Sequence, residues 1–254
     1  MSEDGGNLLT DSGDAGASSS WDGTLVFDVE TIPMELDGAA LEAVEQLAQR
    51  QAERRQEEVN VDGYCSLSPP LAAMCSVSML RYGTSQKAVY YLDAPFEGMT
   101  PPALPETTVR GYADEKSLVE AFFTQCKQVK RFVTFNGRGF DFPLILNRAL
   151  THGIRPPTNF LRAAFGYRYR PDTHIDLMDL FTLFGAGTRF SLSAYCIGQG
   201  VESPKQHGSG SDVLGWVRGK DLDSLVRYSL ADTVATAALY ENWTETIDYS
   251  FGRT

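Results

Sequence analysis

No two cysteines stand in a C-x-x-C spacing. Cys65, Cys75, Cys126 and Cys196 are scattered along the chain, which excludes the common zinc and dithiol motifs and points to buried free thiols in a reducing compartment. Positive charge is scarce too: 22 Lys and Arg stand against 33 Asp and Glu, a net charge of −11. Such a chain does not grip a long duplex by bulk electrostatics, because phosphate binding depends on neutralising Lys and Arg. Contact with nucleic acid must then be local or bridged by cations. Also missing are an uncharged apolar run long enough to span a bilayer and a basic start followed by an apolar stretch. The expectation is a cytoplasmic protein with no membrane partner.

Bulky apolar groups are nearly absent from the opening MSEDGGNLLTDSGDAGASSS, which cannot bury enough surface to offset its ordering entropy. Residues 1–21 are expected to be a disordered acidic tail and 248–254 a C-terminal tail. Residues 22–247 are read as one sizeable α/β domain, which 254 residues and 43% hydrophobic content allow. TLVFDV, at 24–29, reads as a buried strand at the centre of the sheet. Residues 36–59 have high helix propensity and a modest apolar stripe, so a largely exposed helical insertion is expected at about 36–60. Strands follow at 74–81 and 87–92, then a Pro-rich loop at 94–105. A helix is expected at 115–129 and a strand at 131–135. Asp141 opens the next helix, with Pro143 in its first turn, where a missing N–H costs nothing. Short helical pieces at 177–184 and 191–197 precede a long helix at 222–243.

Asp28 and Glu30 alternate along the first strand and so leave the same face of the sheet. Two carboxylates there repel each other and resist burial unless a cation lies between them, and hard oxygen ligands suit Mg²⁺ or Mn²⁺. A solvent-facing pair on an edge strand is the alternative. Asp141 lies in FVTFNGRGFDFP at a strand-to-helix junction, where a helix cap is the simple explanation. A phosphate-cradling G-x-G-x-x-G loop would need glycine at the position of Phe142. Tyr228 and Asp232 share a helix face four residues apart, either as core tyrosine and solvated carboxylate or as part of a site. Asp232 stands among Leu230, Ala231, Val234 and Ala235, where a lone carboxylate is costly and a cationic partner is expected. If the fold joins these pieces, Asp28, Glu30, Asp141 and Asp232 can hold two divalent ions roughly 3.5–4 Å apart, as in phosphodiester hydrolysis. Tyr228 would orient the attacking water rather than act as a base.

In order, FDVET, N-x-x-x-F-D-F-P and Y-x-x-x-D resemble the three motifs of the DEDD superfamily of exonucleases, in its tyrosine-bearing (DEDDy) branch. HIDLMDLF and SLSAYC look like the stand-alone predicted exonucleases related to the proofreading domain of family B DNA polymerases. The resemblance spans about residues 25–240. It implies an RNase H-like fold, a central mixed β-sheet flanked by helices, and metal-dependent attack at 3′ ends with release of 5′-mononucleotides. It also implies metal ligation by Asp28, Glu30 and Asp232, with Asp141 in support and Tyr228 as the catalytic tyrosine. Single-stranded DNA 3′ ends are the expected substrate. RNA trimming, or a non-catalytic nucleic-acid-binding module, are the alternatives.

Thr31, Asn136, Phe140, Arg168, Arg170 and Lys205 are the candidate substrate contacts. Asn136 and Phe140 offer an amide and an aromatic face beside Asp141. Arg148, Arg155, Arg162, Arg168 and Arg170 interleave with Phe160, Phe165, Tyr167 and Tyr169 without an acidic residue, which suits a phosphate-and-base surface; burial of the aromatics is the competing reading. His174 is expected to satisfy a hydrogen bond rather than bind metal. Asp176 and Asp179 read as a helix cap and a solvated neighbour.

Overall fold

The structure is a computed structural model that describes residues 21–169 and 172–247. Arg170, residues 1–20 and residues 248–254 lie outside the described residues, so the expectations for them have no structural counterpart. The first strand, β1 (Thr24–Pro33), is built from the β-branched and aromatic run read in the sequence, and it lies inside the sheet. On one side it pairs antiparallel with β2 (Ala72–Arg81), which pairs antiparallel with β3 (Lys87–Leu92). Beyond β3 runs a parallel edge strand, β4 (Thr107–Tyr112). On its other side β1 pairs in parallel with β5 (Arg131–Thr134), and β5 with β6 (His174–Asp176). The order is β4-β3-β2-β1-β5-β6.

Alternation along β1 divides the core. Leu25, Phe27 and Val29 face one side and pack against α3 (Glu115–Cys126), α4 (Asp141–His152) and α5 (Thr158–Ala164). Phe27, Phe132, Phe142 and Phe160 interlock there, with Phe142 and Phe160 stacked at 4.7 Å and Phe27 and Phe142 edge-on at 5.6 Å. Each such ring contributes about 1.5–3 kcal/mol by leaving water. Phe27 precedes Asp28 and Phe142 follows Asp141, so packing of these two rings draws the two carboxylates together.

The opposite face is covered by α9 (Leu222–Ile247). Val26 joins a cluster with Ala235, Leu239 and Tyr240 of α9, with α6 (Leu177–Phe181) and with α7 (Leu192–Gln199). Ile32 packs on a separate cluster of Leu222, Leu225, Val226 and Tyr228, beside α8 (Val213–Gly219). Asp28 and Glu30 stand on this face between the two clusters.

Within the stretch expected to be helical at 36–60 lies one helix, α1 (Gly38–Arg55), which stops at Gln56 in a left-handed conformation of φ 57; a short second helix, α2 (Val61–Ser66), begins just past it. Only Val44, Ala48 and Ala52 of α1 are buried, one stripe of an otherwise exposed helix. Among the described residues, four of the strands and α-helices have no counterpart in the sequence reading: α2, β4, α5 and α8. All four cysteines are free and buried, as expected. Among the described residues no helix is long and apolar enough to cross a membrane.

Candidate active site

Carboxylate oxygens of Asp28, Glu30 and Asp232 all lie within 4.8 Å of one another. Glu30 is buried, while Asp28 and Asp232 keep partial access to solvent, which leaves the cluster open on one side. Asp141, 3% exposed, stands beside them at the start of α4. Its N-cap is Phe140, so Asp141 is the first helical residue and not the cap. Its carboxylate accepts from the Val29 N–H and from its own N–H.

This crowding shows in the protonation equilibria. Burial, followed by the charges of Asp141, Glu30 and Asp232, pushes the Asp28 carboxyl well above the ordinary carboxylate range. Burial, then Asp232 and Asp141, does the same to Glu30. Burial raises Asp141 to about 7 against the relief of its two N–H donors, and raises Asp232 to about 6. Asp28 and Glu30 are within hydrogen-bonding reach of each other, an arrangement that needs a shared proton. One oxygen of Glu30, Oε1, is buried with no hydrogen-bond partner. A buried, unpaired anionic oxygen facing other carboxylates fits a cation far better than water or a neutral donor.

Tyr228 donates its hydroxyl to Asp232, one helical turn on. Burial and the charges of Glu30 and Asp232 push its phenol well above the ordinary value, so it stays protonated. Its ring leans on Trp216 at 5.4 Å. The loop before α8 closes over the pair. A Cβ on Gly210 would lie 3.7 Å from the Tyr228 hydroxyl, and one on Gly208, at φ 123, would meet the Trp216 ring at 2.5 Å.

What sets Asp232 opposite β1 is a ladder of buried hydroxyls that sequence reasoning missed. Ser76 and Ser78 pair with Glu30 and Asp28 across the sheet. Ser76 Oγ meets Ser229 Oγ at 2.7 Å; Ser78 Oγ donates to the Ser229 carbonyl at 2.7 Å and contacts Thr233 Oγ1. Buried hydroxyls left unpaired cost about 1–3 kcal/mol each, so α9 is held at the register that satisfies them. The signal was present in two serines at alternate positions of AAMCSVSMLR and in Ser229 and Thr233 four apart in an apolar helix.

A second device holds the strand itself. Between Glu30 and Thr31 the register on β2 skips Cys75, a bulge that re-aims neighbouring side chains. The Met74 N–H donates to Glu115 Oε1 at 2.7 Å. Glu115 also takes a bidentate grip from Arg148 and a hydrogen bond at 2.7 Å with His152. Arg148 is 4% exposed. It therefore does not belong to a phosphate-binding face, because its guanidinium is spent inside the fold. Phe160, fully buried, leaves that face as well.

Other expected contacts are distributed unevenly. Thr31 faces away from the carboxylates and gives its hydroxyl to the Ser66 carbonyl at 2.7 Å, tying α2 to β1. Asn136, at φ 64, and Phe140 lie on the tight loop that delivers Asp141. Gly137 is required there, since a Cβ would sit 2.3 Å from Thr134 Oγ1. That loop hangs on Asp176, whose carboxylate accepts from the N–H groups of Asn136, Arg138 and Met178; the helix-cap reading of Asp176 holds. Asp179 is not solvated: it is 4% exposed and bridges Arg138 and Arg168. His174 Nε2 pairs with Thr134 Oγ1 at 2.8 Å, and burial holds its imidazole down at about 3, hence neutral. Lys205 is exposed on the turn Pro204–His207, upstream of Gly210. A cavity of about 550 Å³ behind α9, lined by Leu104, Val201, Pro204, Arg227 and Val234, contains none of the four carboxylates.

A mixed six-stranded sheet flanked by helices, with an acidic cluster on its central strand, is the architecture of RNase H-like exonucleases. The family model that matches the chain is described as a predicted 3′-5′ exonuclease related to the exonuclease domain of PolB, with residues 104–247 matched; the chain belongs to this family. The matched span includes Asp141, Tyr228 and Asp232 and begins after β1. The chain is also 29% identical over 152 residues to the catalytic subunit of DNA polymerase epsilon from Dictyostelium discoideum, an alignment covering 56% of this chain and 6% of that protein.

Proposed function

We propose that the protein removes 5′-mononucleotides from the 3′ end of single-stranded DNA, as a member of the tyrosine-bearing DEDD branch. In this reading Asp28, Glu30, Asp141 and Asp232 hold two divalent cations, and Tyr228 orients the attacking water by hydrogen bonding. The observation that carries it is the three-carboxylate cage, oxygens within 4.8 Å, with a buried Glu30 oxygen that has no partner. An all-oxygen donor set suits Mg²⁺ or Mn²⁺. Such cations, when bound, neutralise developing negative charge and lower the pKa of water. The chain's own residues do the rest. Tyr228, kept protonated, serves as donor and not as base. The Ser76–Ser78–Ser229–Thr233 ladder and the Glu115-capped bulge hold the carboxylates to a fixed spacing. Asn136 and Phe140 flank the terminal nucleotide, and Lys205 and Arg168 approach phosphates further out.

Purified protein is incubated with Mn²⁺ or Mg²⁺ and with matched DNA and RNA strands labelled at either end, beside Asp28→Ala. Stepwise shortening from the 3′ end of DNA by the wild type alone is expected. Equal turnover by Asp28→Ala would sink the metal-site assignment, and digestion of RNA only would overturn the DNA preference.

A further inference from the structure

Just beyond the loop that delivers Asp141, the surface changes character. Phe165, Tyr167 and Tyr169 are 76%, 67% and 49% exposed, against a fully buried Phe160 in the preceding helix. Tyr169 lies edge-on to both Tyr167, at 5.5 Å, and Phe184, at 4.9 Å. Leu183 and Phe184 hold left-handed backbone at φ 48 and 60, which bulky residues seldom adopt. The Phe184 N–H is tied to the Asp179 carbonyl at 2.6 Å. Leu183 remains 72% exposed.

Charge distinguishes this face within an acidic chain. Asp179 neutralises one of the two guanidinium groups it bridges, Arg138 and Arg168, and the Nε of Arg168 has no partner. Arg138 also donates to the Gly166 carbonyl, and its own N–H is held by Asp176. The tyrosine loop is thus fastened through Arg138 to the residues leading into Asp141, three positions on.

We propose that Phe165, Tyr167, Tyr169 and Phe184, with Arg138 and Arg168, form a stacking platform for the bases of the single strand upstream of the cleaved end. This rests on the exonuclease reading and extends it: affinity comes from several nucleotides behind the scissile bond. Aromatic rings accept any base face and arginines hold the backbone, so the platform tolerates all sequences. It has no means of holding a paired duplex, whose bases are stacked on each other.

Binding is separated from turnover by fluorescence anisotropy of labelled oligothymidylates, from three to twenty nucleotides, on Asp28→Asn protein in chelator. Tyr167→Ala and Tyr169→Ala are compared with Leu67→Ala, an exposed apolar side chain elsewhere (76% exposed). Each tyrosine variant is expected to weaken binding of the longest strand by on the order of tenfold, the loss shrinking as the strand shortens, while Leu67→Ala binds normally. The same loss at every length, or none, would overturn the platform. Digestion of the labelled strands by the chain with Asp28 intact is scored separately. Length-dependent loss without any digestion keeps the platform and discards the exonuclease reading. Digestion with no loss of binding does the reverse.

Discussion

Replacing Asp232 by Asn should make the metal-free protein more stable while abolishing activity. Asp232 titrates at about 6 in the fold against an ordinary 3.8. A carboxyl whose folded pKa is raised binds its proton more tightly in the native state. Its contribution is therefore complete below about pH 4 and is lost as pH rises through about 6. That rise in pKa amounts to about 3 kcal/mol. Asparagine never ionises, and its amide oxygen still accepts from the Tyr228 hydroxyl. In chelator at about pH 8 the variant should melt roughly 6–12 °C above the wild type, taking about 2–4 °C per kcal/mol for a domain of this size. At about pH 4 the two should melt together. Adding Mn²⁺ at about a hundred times its dissociation constant should restore about 2.7 kcal/mol to the wild type and little to the variant. Differential scanning calorimetry across pH, with and without metal, reads all of this. A variant less stable than wild type in chelator at about pH 8, or a gap that does not change with pH, would refute the reasoning.

Tyr228→Phe removes the donor to Asp232, and exonuclease kinetics should show kcat reduced on the order of tenfold to a thousandfold with the fold intact by circular dichroism. Glu115→Gln leaves the buried Arg148 guanidinium without its counter-charge and should cost about 3–5 kcal/mol in urea unfolding, with activity falling through the bulge beside Glu30. Ser78→Val strips two hydrogen bonds from the α9 contact; a loss of about 1–3 kcal/mol is expected, with weaker Mn²⁺ binding by titration calorimetry. Gly137→Ala places a Cβ 2.3 Å from Thr134 Oγ1, so it should lower the melting temperature and reduce turnover by displacing Asp141. Unchanged melting would show that the loop yields.

Local periodicity made much of the site legible. Period two put Asp28 and Glu30 on one face, and a spacing of four put Tyr228 with Asp232; both hold in the fold. The edge strand β4 was hidden because TTVRGY is short, carries Gly and Arg, and has no fully buried residue. Arg148 misled for a different reason. Its place in an arginine-rich run suggested a surface, yet its helical spacing from Asp141, Phe142 and Ile145 puts it on the buried face of α4. Hydroxyls in apolar segments stood out in the chain, but their partners across long separations did not: Glu115 bonds the Met74 N–H, 41 residues away, and Ser78 bonds Ser229, 151 away. Such contacts follow from how the layers stack, which no single segment encodes.

The carboxylate cage draws one wall from β1, the first strand, and the other from α9, some two hundred residues later in the chain. A ribosome releases the first wall long before the second. Until α9 emerges and its serine and threonine find Ser76 and Ser78, the nascent polypeptide carries Asp28 and Glu30 with neither Asp232 nor Tyr228 beside them. The cage is therefore completed in a single step, when α9 docks on the sheet.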